Sequence, residues 1–86
     1  YYFKNLIKLE DLYLNHNQIS TIHSDSFKSL HMLKILRLEN NCLHKIDSST
    51  FINLSNLKEL LLGRNLLKKI DKGLFKNLKN LRKLYL

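Results

Sequence analysis

The chain has 86 residues and a formal charge of +8, with 15 Lys and Arg against 7 Asp and Glu; 21 of its residues are leucine. That length allows one domain at most, and an apolar content of 44% excludes a chain disordered by composition. One cysteine and two glycines exclude an internal disulfide framework, a multi-cysteine zinc site and a glycine-rich phosphate cradle, and no apolar run exceeds Leu60-Leu61-Leu62, far short of the ~18 residues of a membrane span.

In chain order, Phe3 and Leu6 come first, followed by Leu9, Leu12, Leu14, Asn17, Ile19, Ile22, Phe27 and Leu30. The same types then return 24 residues later as Leu33, Leu36, Leu38, Asn41, Leu43, Ile46, Phe51 and Leu54. A third set runs Leu57, Leu60, Leu62, Asn65, Leu67, Ile70, Phe75 and Leu78, and Leu81, Leu84 and Leu86 open a fourth. No insertion breaks the register, so the chain is an internal repeat.

Leucines at i, i+3 and i+5 spread around a helix rather than forming a stripe. A period of 24 is not a multiple of seven, which excludes a sustained heptad. In extended chain, residues two apart share a face. The spacing therefore predicts strand cores at 12–14, 36–38, 60–62 and 84–86, parallel and adjacent at about 4.8 Å. The rest of each repeat returns the chain to the next strand, as in one coil of a solenoid. An Asn amide carries two donors and an acceptor, which suits the inward-turned backbone where each strand ends. The Phe column fills the far side. Only a short irregular or 3₁₀-like segment fits between Ile22 and Phe27.

The pattern LxxLxLxxNxLxxIxxxxFxxLxx resembles the leucine-rich repeat, in its 24-residue typical class, over the whole chain. The resemblance implies an α/β solenoid: a curved right-handed coil with a parallel β-sheet on the concave face and an irregular or 3₁₀ convex side. It divides the chain into a partial repeat 1–8, full repeats 9–32, 33–56 and 57–80, and a partial repeat 81–86. That class is found mostly in extracellular proteins, among them Toll-like and other surface receptors and small matrix proteoglycans, so the resemblance implies an extracellular or cell-surface location. Family members usually carry cysteine-rich caps. None is present here, and an interior fragment of a longer protein is expected.

With the register fixed, the residues between the leucines become informative. The column Tyr13, Arg37, Leu61, Tyr85 faces outward on the concave side, and Tyr and Arg are types enriched at interface hot spots. Ile35 and Leu61, expected to be exposed, would need a partner. Lys34, Lys58 and Arg82 stack on neighbouring strands, and Arg64 follows the third. Partner-binding candidates are thus Tyr13, Lys34, Ile35, Arg37, Lys58, Leu61, Arg64, Arg82 and Tyr85. The plainer reading is a solvated strand face, since β-propensity alone favours Tyr and Ile. Residues 1–56 carry 6 basic and 5 acidic groups, and residues 57–86 carry 9 and 2. Lys68, Lys69, Lys72, Lys76 and Lys79 lie off the concave face, where they serve solubility or attract an acidic glycan or nucleic acid.

Catalysis finds little support. His16, His23, His31 and His44 fall on different parts of the coil, and Cys42 is separated from His44 by the inward Leu43. No catalytic residue, metal or cofactor is assigned. Asn53-Leu54-Ser55 is a sequon, making Asn53 a glycosylation candidate. The favoured expectation is a non-enzymatic protein-recognition module of an extracellular receptor or secreted binding protein. The alternatives are a glycan- or nucleic-acid-binding ectodomain that uses the basic C-terminal coils, or a spacer without its own ligand.

Overall fold

Each Leu-x-Leu triplet turns one leucine pair inward and sends the residue between them outward, and this alternation sets the strands. The computed structural model describes residues 3–86; Tyr1 and Tyr2, at the head of the partial repeat 1–8, lie outside the described residues. Four short strands, β1 (Asp11–Tyr13), β2 (Ile35–Arg37), β3 (Glu59–Leu61) and β4 (Lys83–Tyr85), form one parallel sheet in the order β1-β2-β3-β4. Leu12 pairs with Leu36, Leu36 with Leu60 and Leu60 with Leu84. Each strand therefore centres on the first leucine of its pair, one residue earlier than the spacing predicted. The backbone pairing nonetheless continues: Leu14 N donates to Arg37 O at 2.9 Å, Leu38 N to Leu61 O at 2.8 Å and Leu62 N to Tyr85 O at 2.7 Å.

The extended chain ends where the backbone turns left-handed. His16, Asn40 and Arg64 have φ of 59°, 59° and 56°, and each directly precedes the Asn column or sits one position before it. Asn41 then closes the turn. Its Nδ2 donates to Leu38 O at 2.9 Å in its own coil and to Leu14 O at 3.0 Å in the coil before, while its Oδ1 accepts Ile19 N at 3.1 Å. Asn65 repeats the arrangement one coil on, with Leu62 O, Leu38 O and Leu43 N. The amide thus satisfies backbone groups that burial would otherwise leave unpaired.

The return leg is a succession of turns. Backbone bonds from residue i+3 to i tie Leu30 to Phe27, Leu54 to Phe51 and Leu78 to Phe75. Asp47 Oδ1 accepts Ser49 N at 2.9 Å and Asp71 Oδ1 accepts Gly73 N at 3.1 Å, which starts the turn in those coils. Among the described residues there is no α-helix, so turns occupy the layer that the α/β label assigns to helices. Among the described residues, no helix is long and apolar enough to cross a membrane.

The core is one continuous cluster of the inward leucines with Phe27, Phe51 and Ile46. Phe3, Phe27 and Phe51 stack with centroids 6.1 and 6.3 Å apart and rings within 18° of parallel. Leu36 and Leu60 are fully buried, whereas Leu12 and Leu84 in the outer coils are not. Packing is thus densest between the second and third coils.

A second asparagine ladder lies on the side opposite the sheet, and the sequence reading missed it. Asn53 Nδ2 donates to Lys28 O at 3.0 Å, Asn56 Nδ2 to His31 O at 2.7 Å and Asn80 Nδ2 to Ser55 O at 2.9 Å. Each reaches back 25 residues to the preceding coil. The signal was in the spacing, since Asn56 and Asn80 are themselves 24 residues apart.

A candidate protein-binding sheet face

The four-strand register puts Tyr13, Arg37, Leu61 and Tyr85 side by side. Tyr13 pairs with Arg37, Arg37 with Leu61 and Leu61 with Tyr85. Three gaps of about 4.8 Å give this row a width of about 15 Å. Its two tyrosines are exposed, at 57% and 55%. Ile35 and Leu61 are half-buried rather than exposed, because neighbouring strands on both sides cover their flanks. The exposure expected of Ile35 and Leu61 from their outward position is thus not found.

Arg37 is held from two sides. Its guanidinium lies 5.4 Å from the centre of the Tyr13 ring, within cation–π range. Its Nε donates to Glu39 Oε2 at 2.9 Å, and Nη2 donates to the same oxygen. Burial, the largest single influence, pushes the Glu39 carboxyl up, but the hydrogen bond from Arg37, a backbone hydrogen bond and the positive charge of Arg37 together outweigh it, and the group sits below the ordinary glutamate range. The same hydrogen bond raises the already high pKa of Arg37.

Other charges on the face also pair across strands. Lys34 Nζ lies 3.1 Å from Glu10, and Lys83 Nζ lies 3.5 Å from Glu59. The stack Lys34, Lys58, Arg82 is therefore relieved at Lys34. Among the described residues, Lys58, Arg64 and Arg82 have no carboxylate within ion-pair distance. Arg64 is exposed and carries its charge from a left-handed backbone position.

The remaining candidates are dispersed. His16 is at the end of the sheet face, His23 accepts Asp25 N at 3.1 Å on the return leg, and His31 and His44 are exposed elsewhere. Among the described residues, no group of three His, Cys, Asp or Glu converges on a metal position. Cys42 is a free, exposed thiol. Lys68 and Lys69 line a shallow groove with His44, Lys45, Ile46, Ile70 and Asp71, away from the sheet face. Asn53 is half-buried on the turn side, its amide engaged with Lys28.

Solved structures similar to this one include the two that follow. A chain in the structure of the Toll–Spatzle complex, described as a molecular hub in Drosophila development and innate immunity, matches with 34% identity and a TM-score of 0.95. The match covers 98% of this chain and 11% of that one. The leucine-rich repeat domain of APL1B matches with 25% identity and a TM-score of 0.94, over 98% of this chain and 25% of that one. This chain thus spans only a small part of either relative. No curated protein matches it. The leucine rich repeat family model matches residues 1–43 and 32–86. With its parallel sheet, inward leucines and asparagine ladder in that register, the chain belongs to the leucine-rich repeat family.

Proposed function

We propose that the chain is a non-enzymatic protein-recognition module of an extracellular receptor or secreted binding protein, and that it binds its partner through the sheet face. The observation that carries this reading is the row Tyr13–Arg37–Leu61–Tyr85, in register across all four strands. Large rigid tyrosines expose contact area at little cost in side-chain entropy. Arg37 is already ordered by Tyr13 and Glu39, which lowers the cost of fixing it on binding. The similarity to a chain solved in a complex between two proteins supports a protein partner.

The test is a surface-plasmon titration of the protein's partner against two sets of variants. Arg37→Ala and Tyr85→Ala are each expected to cost about 1–2 kcal/mol of binding. Replacing Lys68, Lys69 and Lys72 together by Gln is expected to change mainly on-rate and salt sensitivity. The reverse pattern would assign binding to the basic C-terminal coils and an acidic glycan or nucleic acid. If neither set alters binding, these coils act as a spacer.

A further inference from the structure

Three of the sheet-face cations already have an anion beside them. Lys34 is engaged with Glu10, Arg37 with Glu39 and Lys83 with Glu59. The other three, Lys58, Arg64 and Arg82, have no carboxylate partner among the described residues. They are not scattered. Lys58 and Arg82 are neighbours at the start of β3 and β4, joined by a 2.8 Å backbone bond from Arg82 N to Lys58 O. Arg64 lies beyond the far end of β3, six residues on and at the left-handed turn, so at most about 20 Å away. Between these two poles sit Leu61 and Tyr85, paired across β3 and β4.

Gly63 lies in the same interval, and nothing stands within 4 Å of where its Cβ would be. The floor of the face is open there, and another backbone can come close. The opposite edge of the sheet carries the other sign at Asp11, which begins β1, is exposed and has no ion-pair partner among the described residues.

From this arrangement we infer that the β3–β4 half of the sheet face docks an extended acidic polypeptide segment of the protein partner. This rests on the reading of the sheet face as a protein-binding surface. One carboxylate of the segment meets Lys58 and Arg82, an apolar residue packs on Leu61 and Tyr85, the backbone passes over Gly63, and a second carboxylate meets Arg64. An extended chain rising ~3.3 Å per residue places two carboxylates about six residues apart over both poles. Asp11 repels the same segment from β1, which fixes its side of the sheet. A sulfated glycan, whose charge is continuous, matches a continuous cationic track better than two poles with an apolar gap.

The probe is a short fluorescent peptide with Glu at each end, Leu at the centre and small neutral residues between. Its comparators are a scrambled isomer with the Glu residues together, and a heparin oligosaccharide. Anisotropy titrations are run at low and at physiological salt. The ordered peptide is expected to bind more tightly than its isomer. Lys58→Gln, Arg82→Gln and Arg64→Asn are each expected to weaken it by about fivefold or more. Lys34→Gln, which removes an ammonium already engaged with Glu10, is expected to change it less than about twofold. Asn adopts the left-handed backbone at position 64 more readily than Arg, so a loss of binding in Arg64→Asn does not arise from lost folding. Absence of binding by the ordered peptide overturns the proposal. Equal binding of the two isomers, or equal losses in Lys34→Gln and Lys58→Gln, does so as well. Displacement by heparin that depends on Lys68 and Lys69 also overturns it, in favour of a glycan. If Tyr85→Ala weakens the partner while the three cation variants bind as wild type, the acidic segment falls and the protein-binding face stands.

Discussion

Arg37 lies over the ring of Tyr13, its guanidinium carbon 5.4 Å from the ring centre, on the strand next door. The parallel register produces the contact, since two residues 24 apart in sequence face the same way on adjacent strands. Glu39, two residues further along the chain of Arg37, takes the guanidinium from the other side. An arginine clamped in this way presents a fixed donor set, where a free one would sample many rotamers. The clamp also links the sheet face to protons, because one of its members is a carboxylate.

Glu39 is expected to make stability depend on acid pH. Its carboxyl is held below the usual range: burial works most strongly against ionisation, and the Arg37 hydrogen bond, a backbone hydrogen bond and the Arg37 charge together more than compensate. A group whose folded pKa is depressed stabilises the fold above its unfolded value, near 4.3. That contribution is lost as pH falls through the folded pKa. At neutral pH the wild type should therefore melt above Glu39→Gln. The gap should narrow below about pH 4, followed by circular dichroism melts across a pH series. A gap that stays constant into acid would show that the ion pair contributes nothing to it.

Asn41 and Asn17 occupy the same column and should respond differently to loss of the amide. Asn41 is buried and bridges two coils through Leu14 O, Leu38 O and Ile19 N. Asn17 is exposed and, among the described residues, bonds Leu14 O and Asn15 O, within its own turn. Asn41→Leu leaves buried backbone groups unpaired and is expected to cost about 1–3 kcal/mol. Asn17→Leu leaves groups that water can reach, and its cost should stay below about 1 kcal/mol. Urea unfolding of the two variants side by side measures the difference.

The scaffold was legible because it is periodic. Leu36, Leu60, Phe51 and Asn41 each recur 24 residues away, because these repeated positions fill the same buried place in each coil. Strand limits were legible to within one residue. The error came from reading the leucine pair as the strand, while the paired stretch centres on its first member. The clamp at Arg37 was not legible. Tyr13, Arg37 and Glu39 fall in different columns or coils, and nothing in one repeat announces a contact made with the next. The second ladder at Asn53, Asn56 and Asn80 escaped for a related reason: its columns contain Ser29 and Met32 in the coil of residues 9–32, so the period is broken there. Exposure of Ile35 and Leu61 was overestimated because facing outward is not the same as being uncovered. Strands on both sides shield them.

Backbone conformation at position 64 offers a way to stabilise the protein. Arg64 has a φ of 56°, as do, within a few degrees, His16 and Asn40 in the same column. Side chains with a Cβ pay about 1–2 kcal/mol there, and Asn pays less because its short amide bonds locally. Arg64 makes no compensating ion pair among the described residues. Arg64→Asn or Arg64→Gly is thus expected to raise stability by up to about 1 kcal/mol, read as a higher urea midpoint at unchanged slope. The reciprocal change, Asn40→Ile, places a β-branched residue in the same conformation and should lower the midpoint.

Thr50 is the remaining weak point of the core, and its repair is specific. The residue is 2% exposed beside Phe51, and its Oγ1 has no hydrogen-bond partner among the described residues. Among the described residues, the equivalent positions are filled by Ser26, which is half-buried, and Leu74, which is buried. The column therefore accepts both a small hydroxyl and a larger apolar side chain. A buried hydroxyl that makes no bond has given up its water contacts for nothing, and costs about 1–3 kcal/mol. Val has the same shape with a methyl in place of the hydroxyl, so Thr50→Val removes that cost without opening a cavity. It is expected to stabilise by about 1 kcal/mol, whereas Thr50→Ala deletes the methyl as well and is expected to stabilise less or not at all. Thermal melts of the two variants separate the effects. A Thr50→Val melting below wild type would mean that the hydroxyl is bonded in solution, and that the column tolerates polarity for a reason other than size.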